Sequence, residues 1–231
     1  MRCTLMMGIG GHEDYVAVAR AAEDAGWATI SVPDSFFFPR TTESEYPYSD
    51  HEMIRGFLEV SPFIEPIVAM SVMAAATQTI RFCCGVMKVP MRQPIILAKQ
   101  LTSLAVMSGE RLDFGAGISP WKEDFTYNGV PFEKRGERFD EVIGIIRDAQ
   151  QGEFFEHHSA NYDFGPIRLT ETPPAGVFGL AQRYRLSAYD ASYLWLAAEL
   201  RAPLLTFDGK LAAAAADCLA KLPPEGAEPT P

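Results

Sequence analysis

Cysteine is scarce in this chain of 231 residues, and its placement argues against cysteine-based sites. The four cysteines are Cys3, Cys83, Cys84 and Cys218, and no two of them form a CxxC pair. Cys83 and Cys84 are neighbours on a predicted strand, so their side chains point to opposite faces of the sheet. This pattern favours reduced thiols in the core over a disulfide framework or a metal site.

Basic charge is also in short supply. Lysine and arginine number 20 against 30 aspartates and glutamates, which gives a formal net charge of −10. A general nucleic-acid binder needs a basic stripe to neutralise phosphates, and nothing in the sequence supplies one. We therefore expect no general nucleic-acid binding, although a local site stays open.

Long apolar runs are absent as well. The apolar run over residues 1–7 stops at Gly8. It is too short for a membrane span, or for a signal peptide with its cleavage site. We therefore expect no membrane association and a cytoplasmic location.

The motifs of several common enzyme classes are missing. The chain has no GxSxG elbow, no Walker loop and no HExxH, and the glycine pairs that begin at Gly8 and Gly115 do not extend to GxGxxG. His157 and His158 lie beside acidic residues in a predicted hairpin turn. Solvated side chains are the favoured interpretation of these two histidines, rather than metal ligands.

A strand–helix–strand unit over residues 79–121 organises what is present. Apolar residues 80–87 and 111–116 predict strands. Pro94 in a first turn and Gly109 at a left-handed cap position predict a helix over residues 94–108. Such a crossover joins parallel strands, and both strands end in glycine and proline. Ligands bind at that edge of a parallel sheet.

The same alternation of strand and helix precedes this unit. Its repetition with short connections predicts an α/β fold, either a parallel barrel or a doubly wound sheet. The further elements predicted in this part are strands at 3–7 and 27–32, helices at 12–25, 66–77 and 133–151, and a hairpin over 154–164.

A long aromatic segment, residues 36–62, is predicted to be an ordered loop over the strand ends. It contains the sequence Tyr46-Pro47-Tyr48. Long loops in compact domains are usually functional. His51 lies in this loop near the predicted mouth, which makes it a candidate catalytic residue.

The composition breaks at residues 170–176, which have linker character. Beyond the break the pattern predicts a helix at 188–201, a strand at 203–207, a helix at 210–221 and a disordered tail at 223–231. The domain prediction is therefore one domain over residues 1–174, a short α/β segment over 175–222 and the tail.

An ordered series of short motifs resembles the luciferase-like monooxygenase superfamily, over residues 1–173, and its deazaflavin-dependent branch in particular. The resemblance implies a (β/α)₈ barrel of the TIM type with a flavin-type ring over the strand carboxyl ends. The motifs are Asp34 after a strand, Tyr46-Pro47-Tyr48, Cys84-Gly85-Val86-Met87-Lys88-Val89-Pro90, Pro94-Ile95-Ile96-Leu97-Ala98-Lys99-Gln100, Ser108-Gly109-Glu110-Arg111-Leu112, Gly115-Ala116-Gly117 and Glu133-Lys134-Arg135-Gly136.

The resemblance also implies roles for single residues. Asp34 matches an acid that contacts the ring or its substrate, so it is both a catalytic and a coenzyme-binding candidate. Gly85 and Val86 match a pair that flanks a non-proline cis peptide bond. The remaining coenzyme-binding candidates are Met87, Gly117, Ile118 and Ser119. The alternative is that these glycines merely end strands.

Strands after the fourth, which carry most of the family's phosphate-binding backbone, are not evident from about residue 174 onward. We therefore predict an incomplete barrel. Four strands cannot close a barrel, so we expect open edges, an open inner face with Phe82, Cys84, Met87 and Phe114, and homo-oligomers formed through those edges. We expect the strand at 203–207 to pair with one of these sheet edges, beside residues 111–116.

Residues 178–221 instead resemble the carboxyl third of a PIN-domain ribonuclease of the toxin type. Asp190 and Asp208 match two of the four acids with which that family holds a divalent ion. The resemblance implies Mg²⁺ or Mn²⁺ under this alternative. Taken without the resemblance, Asp190 is a first-turn helix acid and Asp208 a helix N-cap.

The sequence thus predicts an oxidoreductase that uses the deazaflavin coenzyme F(420) or FMN on a small-molecule substrate. The alternatives are a metal-dependent ribonuclease fragment and a non-catalytic fusion product. Neither the substrate nor the choice of coenzyme follows from the sequence.

Overall fold

The computed structural model describes residues 3–7, 11–170, 180–181 and 183–222. The chain divides into two compact units, Met1–Thr170 and Glu171–Pro231. The predicted domain boundary at residues 174 and 175 and the predicted tail at 223–231 lie outside the described residues.

A parallel sheet is the centre of the first unit. Four strands form it in the order β1–β2–β3–β5, while β4 pairs in parallel with β6, and β7 with β8 in an antiparallel hairpin. Sheet neighbours follow each other along the chain, so every connection within the sheet is a crossover. The strands are β1 (Thr4–Met6), β2 (Thr29–Val32), β3 (Arg81–Cys84), β4 (Met87–Lys88), β5 (Leu112–Asp113), β6 (Ala116–Gly117), β7 (Phe155–His158) and β8 (Asp163–Ile167).

Helices connect the strands of the first unit, and their ends follow ordinary capping chemistry. The Asp50 carboxylate accepts the N–H of Met53 at 2.8 Å, and Gly109 ends the fourth helix with a φ of 70°. That helix confirms the predicted span 94–108. The helices are α1 (Tyr15–Asp24), α2 (His51–Val60), α3 (Pro66–Ala75), α4 (Pro94–Ser108), α5 (Lys122–Thr126) and α6 (Arg135–Ala149).

One face of the four-stranded sheet shares a core with these helices. Ile30, Phe82 and Leu112 are register neighbours across β2, β3 and β5. Ile30 and Phe82 are fully buried in one cluster with side chains of α1, α3, α4 and α6. Burial of each large apolar side chain contributes about 1.5–3 kcal/mol, so this face carries most of the unit's stability.

The other face of the sheet is more polar, and it corrects one expectation. Its register neighbours are Ser31, Cys83 and Asp113, and Asp113 forms a half-exposed ion pair of 2.6 Å with Arg81. The prediction that this open face carries large apolar side chains was wrong. Side chains along a strand point alternately to the two faces of the sheet. A prediction that is shifted by one residue therefore places every side chain on the wrong face. Phe82, Cys84 and Met87 are at most 1% exposed in the helix-covered core, and Phe114 packs against the same core.

Four predicted elements differ from the structure. The predicted loop 36–62 contains helix α2. The predicted strand 80–87 breaks at residues 85–86 into β3 and β4, and the predicted strand 111–116 breaks at residues 114–115 into β5 and β6. Helix α5 lies where no helix was predicted. Residues 203–207 form no strand, since they find no ladder partner among the described residues and the side chains of Leu205 and Phe207 are fully exposed.

The second unit contains the helices α7 (Ala188–Glu199) and α8 (Gly209–Ala220), and residues 180–181 and 183–184 are helical as well. They pack through a small apolar cluster around the buried side chains of Leu194 and Leu211. Within the part of the chain that the structure describes, no helix has the length and apolar character needed to cross a membrane.

Candidate functional site

A cavity of about 960 Å³ opens at the carboxyl ends of the first unit's strands. A cavity of this volume can hold a cofactor or a small-molecule substrate. Its position is the edge at which parallel α/β sheets bind ligands. The walls come from residues 33–35 after β2, residues 85, 86 and 88 around β4, residues 116–121 at and after β6, residues 45–48 of the aromatic segment, and two residues each of α2 and α6.

The floor of the cavity is partly backbone, because Gly85 and Gly117 line it without side chains, with the side chain of Val86 beside them. The peptide bond between Gly85 and Val86 is cis, as the resemblance predicted. A Cβ atom at Gly115 would overlap the carbonyl oxygen of Cys84, so glycine is required there for the two strands to approach each other. A Cβ atom at Gly117 would overlap the side chain of Val86, which would have to shift.

Asp34 lies in the cavity wall with both carboxylate oxygens engaged. The backbone N–H of Lys88 donates to Asp34 Oδ2 at 2.8 Å, and Arg92 Nη2 donates to both oxygens at 3.0 Å. The Asp34 side chain is only 1% exposed, and Arg92 also pairs with Glu65. Removing a partner would leave this carboxylate charged and buried without compensation, which is strongly destabilising. Asp34 thus fixes the end of β2 to the segment that follows β4.

A second buried carboxylate, Asp124, lies behind the opposite wall. Lys88 Nζ donates to Asp124 Oδ2 at 2.6 Å, and Ser119 Oγ donates to the same oxygen at 2.5 Å. Lys88 and Ser119 line the cavity, whereas Asp124 does not. This network was missed from the sequence. The local signal was a pair of acids, Glu123 and Asp124, at the start of what proved to be a helix.

Glu123 anchors the aromatic segment beside the cavity. It accepts the N–H of Glu43 at 2.6 Å and the hydroxyl of Ser44 at 2.9 Å. Burial opposes the ionisation of Glu123, but hydrogen bonds from Thr42, the Glu43 N–H and Ser44 outweigh it and lower the pKa to about 2. The carboxylate therefore stays charged at neutral pH and holds residues 42–44 against α5.

Aromatic rings form the outer wall, and His51 supports them. Tyr46 stacks on Trp121 with ring centroids 5.5 Å apart, and Tyr48 meets Tyr46 edge-on at 5.6 Å. His51 begins α2 and accepts the N–H of Tyr46 on Nδ1 at 3.3 Å. His51 itself is not among the lining residues.

The structure brings most of the predicted site residues of the first unit together. Those that line the cavity are Asp34, Gly85, Val86, Gly117, Ile118 and Ser119. Met87 is close in sequence but points its side chain into the helix-covered core, where it is fully buried. His51 contacts two lining residues, Tyr46 through the hydrogen bond to its N–H and Trp121 through a ring contact with centroids 5.9 Å apart. Their roles toward a ligand stay predictions.

Asp190 and Asp208 occupy helix-capping positions in the second unit. The hydroxyl of Ser187 donates to Asp190 Oδ2 at 2.6 Å, and Asp208 accepts the N–H of Leu211 at 2.7 Å. No three His, Cys, Asp or Glu side chains cluster as a metal site within the described ranges. Asp190 is thus an acid in the first turn of α7, whose N-cap is Ser187, and Asp208 is the N-cap of α8, as the residue-level interpretation predicted; their metal role stays a prediction.

Comparison with known sequences gives a consistent picture. A family model described as "Luciferase-like monooxygenase" matches residues 6–223. The uncharacterized protein Rv0940c of Mycobacterium tuberculosis is 42% identical over 159 residues, which is 69% of this chain and 55% of that protein. The uncharacterized protein Rv0953c of the same organism is 25% identical over 150 residues, 65% of this chain and 53% of that protein. The chain thus spans about half the length of the curated relatives it matches.

Solved structures with a similar fold include redox enzymes. The oxygenating constituent of 3,6-diketocamphane monooxygenase from Pseudomonas putida, in complex with FMN, aligns with a TM-score of 0.54 and 18% identity, over 74% of this chain and 45% of that one. The coenzyme F(420)-dependent tetrahydromethanopterin reductase from Methanopyrus kandleri gives 0.53 and 17%, over 73% and 46%. Monooxygenase RslO1 from Streptomyces bottropensis gives 0.59 and 18%, over 100% and 68%. At these identities the likeness concerns the fold, which is α/β.

Proposed function

Since this chain belongs to the luciferase-like monooxygenase family, we propose that it is an oxidoreductase which binds a flavin-type coenzyme in the cavity at the strand ends. The coenzyme is FMN or the deazaflavin coenzyme F(420). Proteins of this fold that use each of the two are known, which supports the class of coenzyme and leaves the choice between them open.

The observation that carries the proposal is the glycine-lined floor of the cavity. A flat tricyclic ring needs a wall with little side-chain bulk, and Gly85 and Gly117, which line the cavity without side chains, supply it beside the apolar side chain of Val86. The stacked rings of Tyr46 and Trp121 supply apolar surface on the outer wall. The residues present therefore fit a flavin-type ring.

Several residues would hold the ring. The backbone at residues 85–86 would support the ring, and Ile118 and Ser119, which line the cavity after β6, would contact it. When bound, the coenzyme supplies two-electron redox chemistry that no side chain of the protein possesses. The protein excludes water through the aromatic wall and fixes the orientation of the ring and the substrate.

The proposed roles of Asp34 and His51 follow from their contacts. Asp34 holds the N–H of Lys88 and the guanidinium of Arg92, so we assign it the shaping of the cavity wall in addition to the predicted ligand contact. His51 fixes the backbone of Tyr46, so its predicted catalytic role acts through the aromatic wall.

We also propose that the four-stranded sheet corresponds to the first four units of a (β/α)₈ barrel. The helices that share its core pack against one face, which suits a barrel better than a doubly wound sheet. Self-association through the sheet edges, a small-molecule substrate and a cytoplasmic location complete this proposal.

The ribonuclease alternative rests on the resemblance of residues 178–221 alone. Mg²⁺ is held weakly by few ligands, and Asp190 and Asp208 supply two carboxylates, each engaged in a helix cap. We expect no metal-dependent cleavage of RNA. Cleavage that disappears in Asp190→Ala would reverse that expectation.

Titration of the purified protein with FMN and with the deazaflavin coenzyme, followed by coenzyme fluorescence, tests the proposed function. Wild type should saturate with at least one coenzyme. Gly117→Ala should weaken binding by about tenfold or more, equal to about 1.4 kcal/mol, because the added Cβ meets Val86 in the floor.

Gly144→Ala is the matched control, since a Cβ at that helical position meets no atom within 4 Å. Its titration curve should match that of wild type. Absence of saturation with both coenzymes in wild type would contradict the proposed function, and equal curves for Gly117→Ala and wild type would contradict the proposed site.

A further inference from the structure

One hydrogen bond in the aromatic wall requires a histidine ring without a positive charge. The backbone N–H of Tyr46 donates to Nδ1 of His51 at 3.3 Å. A backbone N–H is always the donor, so Nδ1 must offer a lone pair, and the imidazole is neutral with its proton on Nε2. Protonation of His51 would put an N–H on Nδ1 opposite the N–H of Tyr46, and the hydrogen bond would be lost.

This bond holds a short flap, residues 45–49, whose two ends are fixed. At one end, the carboxylate of Glu123 binds the two residues that precede the flap. At the other end, Asp50 caps helix α2. Between them the flap forms neither helix nor strand, and its residues 45–48 line the cavity. The position of the flap therefore depends on the contacts of its side chains and of the Tyr46 N–H.

Trp121 is the second support of the flap, and it contacts His51 as well. The ring of Tyr46 stacks on Trp121 with centroids 5.5 Å apart, and the His51 ring lies 5.9 Å from the indole. A cation beside an indole is attracted to it, so the contact between His51 and Trp121 persists when the imidazole is protonated. Protonation thus removes the bond to Tyr46 selectively.

No charged side chain compensates for that loss. Within the described ranges, His51 forms no ion pair with any residue. The charged groups of the elements around it have partners of their own or face solvent. The titratable and charged groups of these elements are Glu45, Tyr46 and Tyr48 of the flap, Asp50, Glu52 and Arg55 at the start of α2, and Lys122, Glu123 and Asp124 of α5.

We propose that His51 is a pH-sensitive switch for the flap. The neutral ring holds the flap closed over the cavity, and the protonated ring releases Tyr46, so that a bound ligand leaves faster at acid pH. Histidine is the side chain whose charge ordinarily changes between about pH 5 and 8. His51 is a positioning residue that acts through Tyr46. The inference rests on the proposed function only for the identity of the ligand as a coenzyme.

The switch is tested first in the whole chain without coenzyme. The protection factor of the Tyr46 amide, measured by hydrogen exchange with NMR detection and corrected for the intrinsic rate, should fall about fivefold from pH 8 to pH 5. Such a factor corresponds to the net contribution of about one hydrogen bond.

Two substitutions at His51 separate titration from shape. In His51→Asn, the side-chain oxygen takes the place of Nδ1 as an acceptor that does not titrate, so protection should be equal at both pH values. In His51→Leu the acceptor is missing, so protection should be low at both. His158→Asn is the matched control, because His158 pairs with Asp163 in the hairpin and does not line the cavity. Its profile should match that of wild type.

The second measurement is the dissociation rate of the bound coenzyme, followed by stopped-flow fluorescence. From pH 8 to pH 5 this rate should rise about fivefold more in wild type than in His51→Asn. Titration of the coenzyme itself affects both proteins equally and cancels in this comparison.

A purely structural role for His51 would lower protection in His51→Leu but give wild type no pH dependence. Protection of Tyr46 that is independent of pH in wild type, or that falls equally in His51→Asn, would overturn this inference and leave the proposed function standing. A pH-dependent flap in a protein that binds neither coenzyme would support the switch and overturn the proposed function.

Discussion

The two ends of the four-stranded sheet hold their charged groups in different ways. At the amino end, Arg111 is buried and donates to the carbonyl oxygens of Ser108, Ala74, Thr77 and Ile80. Among the described residues, its hydrogen-bond partners include no carboxylate, and burial lowers the pKa of its guanidinium. The guanidinium group thus provides hydrogen-bond donors for buried backbone carbonyl groups where the helices meet the strands.

Glu23 has the complementary role at the same end. Its carboxylate accepts the backbone N–H groups of Gln78, Thr79 and Ile80 at 2.6–3.1 Å, just before β3 begins. Burial opposes its ionisation, but these hydrogen bonds outweigh it and lower the pKa of Glu23 to about 2. Neither Glu23 nor Arg111 lines the cavity.

At the carboxyl end the charges are paired with each other around a cavity. Asp34 pairs with Arg92, and Asp124 pairs with Lys88, each within 3.0 Å and largely buried. Buried ion pairs often contribute little net stability, because desolvation offsets attraction. This difference leads us to propose that one end of the sheet serves folding and the other binding, and five substitutions test that division.

The largest effect is expected from Arg111→Met at the amino end. The variant leaves several buried carbonyl oxygens without a donor, so the free energy of unfolding should fall by about 3 kcal/mol or more, measured by urea denaturation. Arg20→Met is the control, because Arg20 makes one exposed hydrogen bond to Ala76 and should change stability by less than about 0.5 kcal/mol. A loss below about 1 kcal/mol in Arg111→Met would contradict the assignment.

Asp34→Ala should affect binding at the carboxyl end. It removes the acceptor of the Lys88 N–H and leaves Arg92 with Glu65 as its remaining ion-pair partner, so the wall beside Gly85 loosens. Coenzyme affinity should fall about tenfold, equal to about 1.4 kcal/mol, by fluorescence titration. Overlapping titration curves for this variant and wild type would show that Asp34 does not shape the site.

The pH dependence of stability should involve one carboxylate at each end. Glu23 and Glu123 both have folded-state pKa values lowered from 4.5 to about 2. Each therefore contributes stability that is fully present above pH 4.5 and is lost as the pH falls through about 2. Denaturation midpoints from pH 7 to pH 2 measure this loss.

Glu23→Gln and Glu123→Gln should each flatten that decline. Glu123→Gln should also weaken coenzyme binding, because it loosens residues 42–44 beside the cavity, whereas Glu23→Gln should not. Identical acid profiles for wild type and both variants would refute the pKa assignment.

The smallest effect is expected from Asp113→Asn on the polar face of the sheet. Its ion pair with Arg81 is half-exposed, with side chains 47% and 37% accessible. Such pairs are worth about 0–1 kcal/mol, so stability and coenzyme affinity should both stay near wild type. A loss of coenzyme binding as large as that of Asp34→Ala would contradict the view that the polar face of the sheet takes no part in the binding site.

The order of strands and helices in the first unit was predictable because its signals are local. Pro94 and Gly109 bound α4 where the sequence placed it. Helix α2 was not predicted, because its cap Asp50 follows a proline-bearing aromatic run that resembles a loop. The break at residues 85–86 depends on pairing with a second strand, and a continuous apolar run does not show it.

The candidate site was predictable in part for the same reason. Asp34, Gly85, Val86, Ile118 and Ser119 each follow a strand, and strand ends converge in a parallel sheet. Lys88 and Asp124 are 36 positions apart, and their hydrogen bond depends on how α5 folds back. No periodicity in the sequence indicates that contact.

Hydrogen exchange of the wild-type protein with and without bound coenzyme tests the central claim most directly. Binding at the strand carboxyl ends should protect backbone amides of residues 85–88 and 117–119, and leave those around Arg111 and residues 78–80 unchanged. Saturable binding without protection at 85–88 and 117–119, or with protection confined to the amino end of the sheet, would contradict the account.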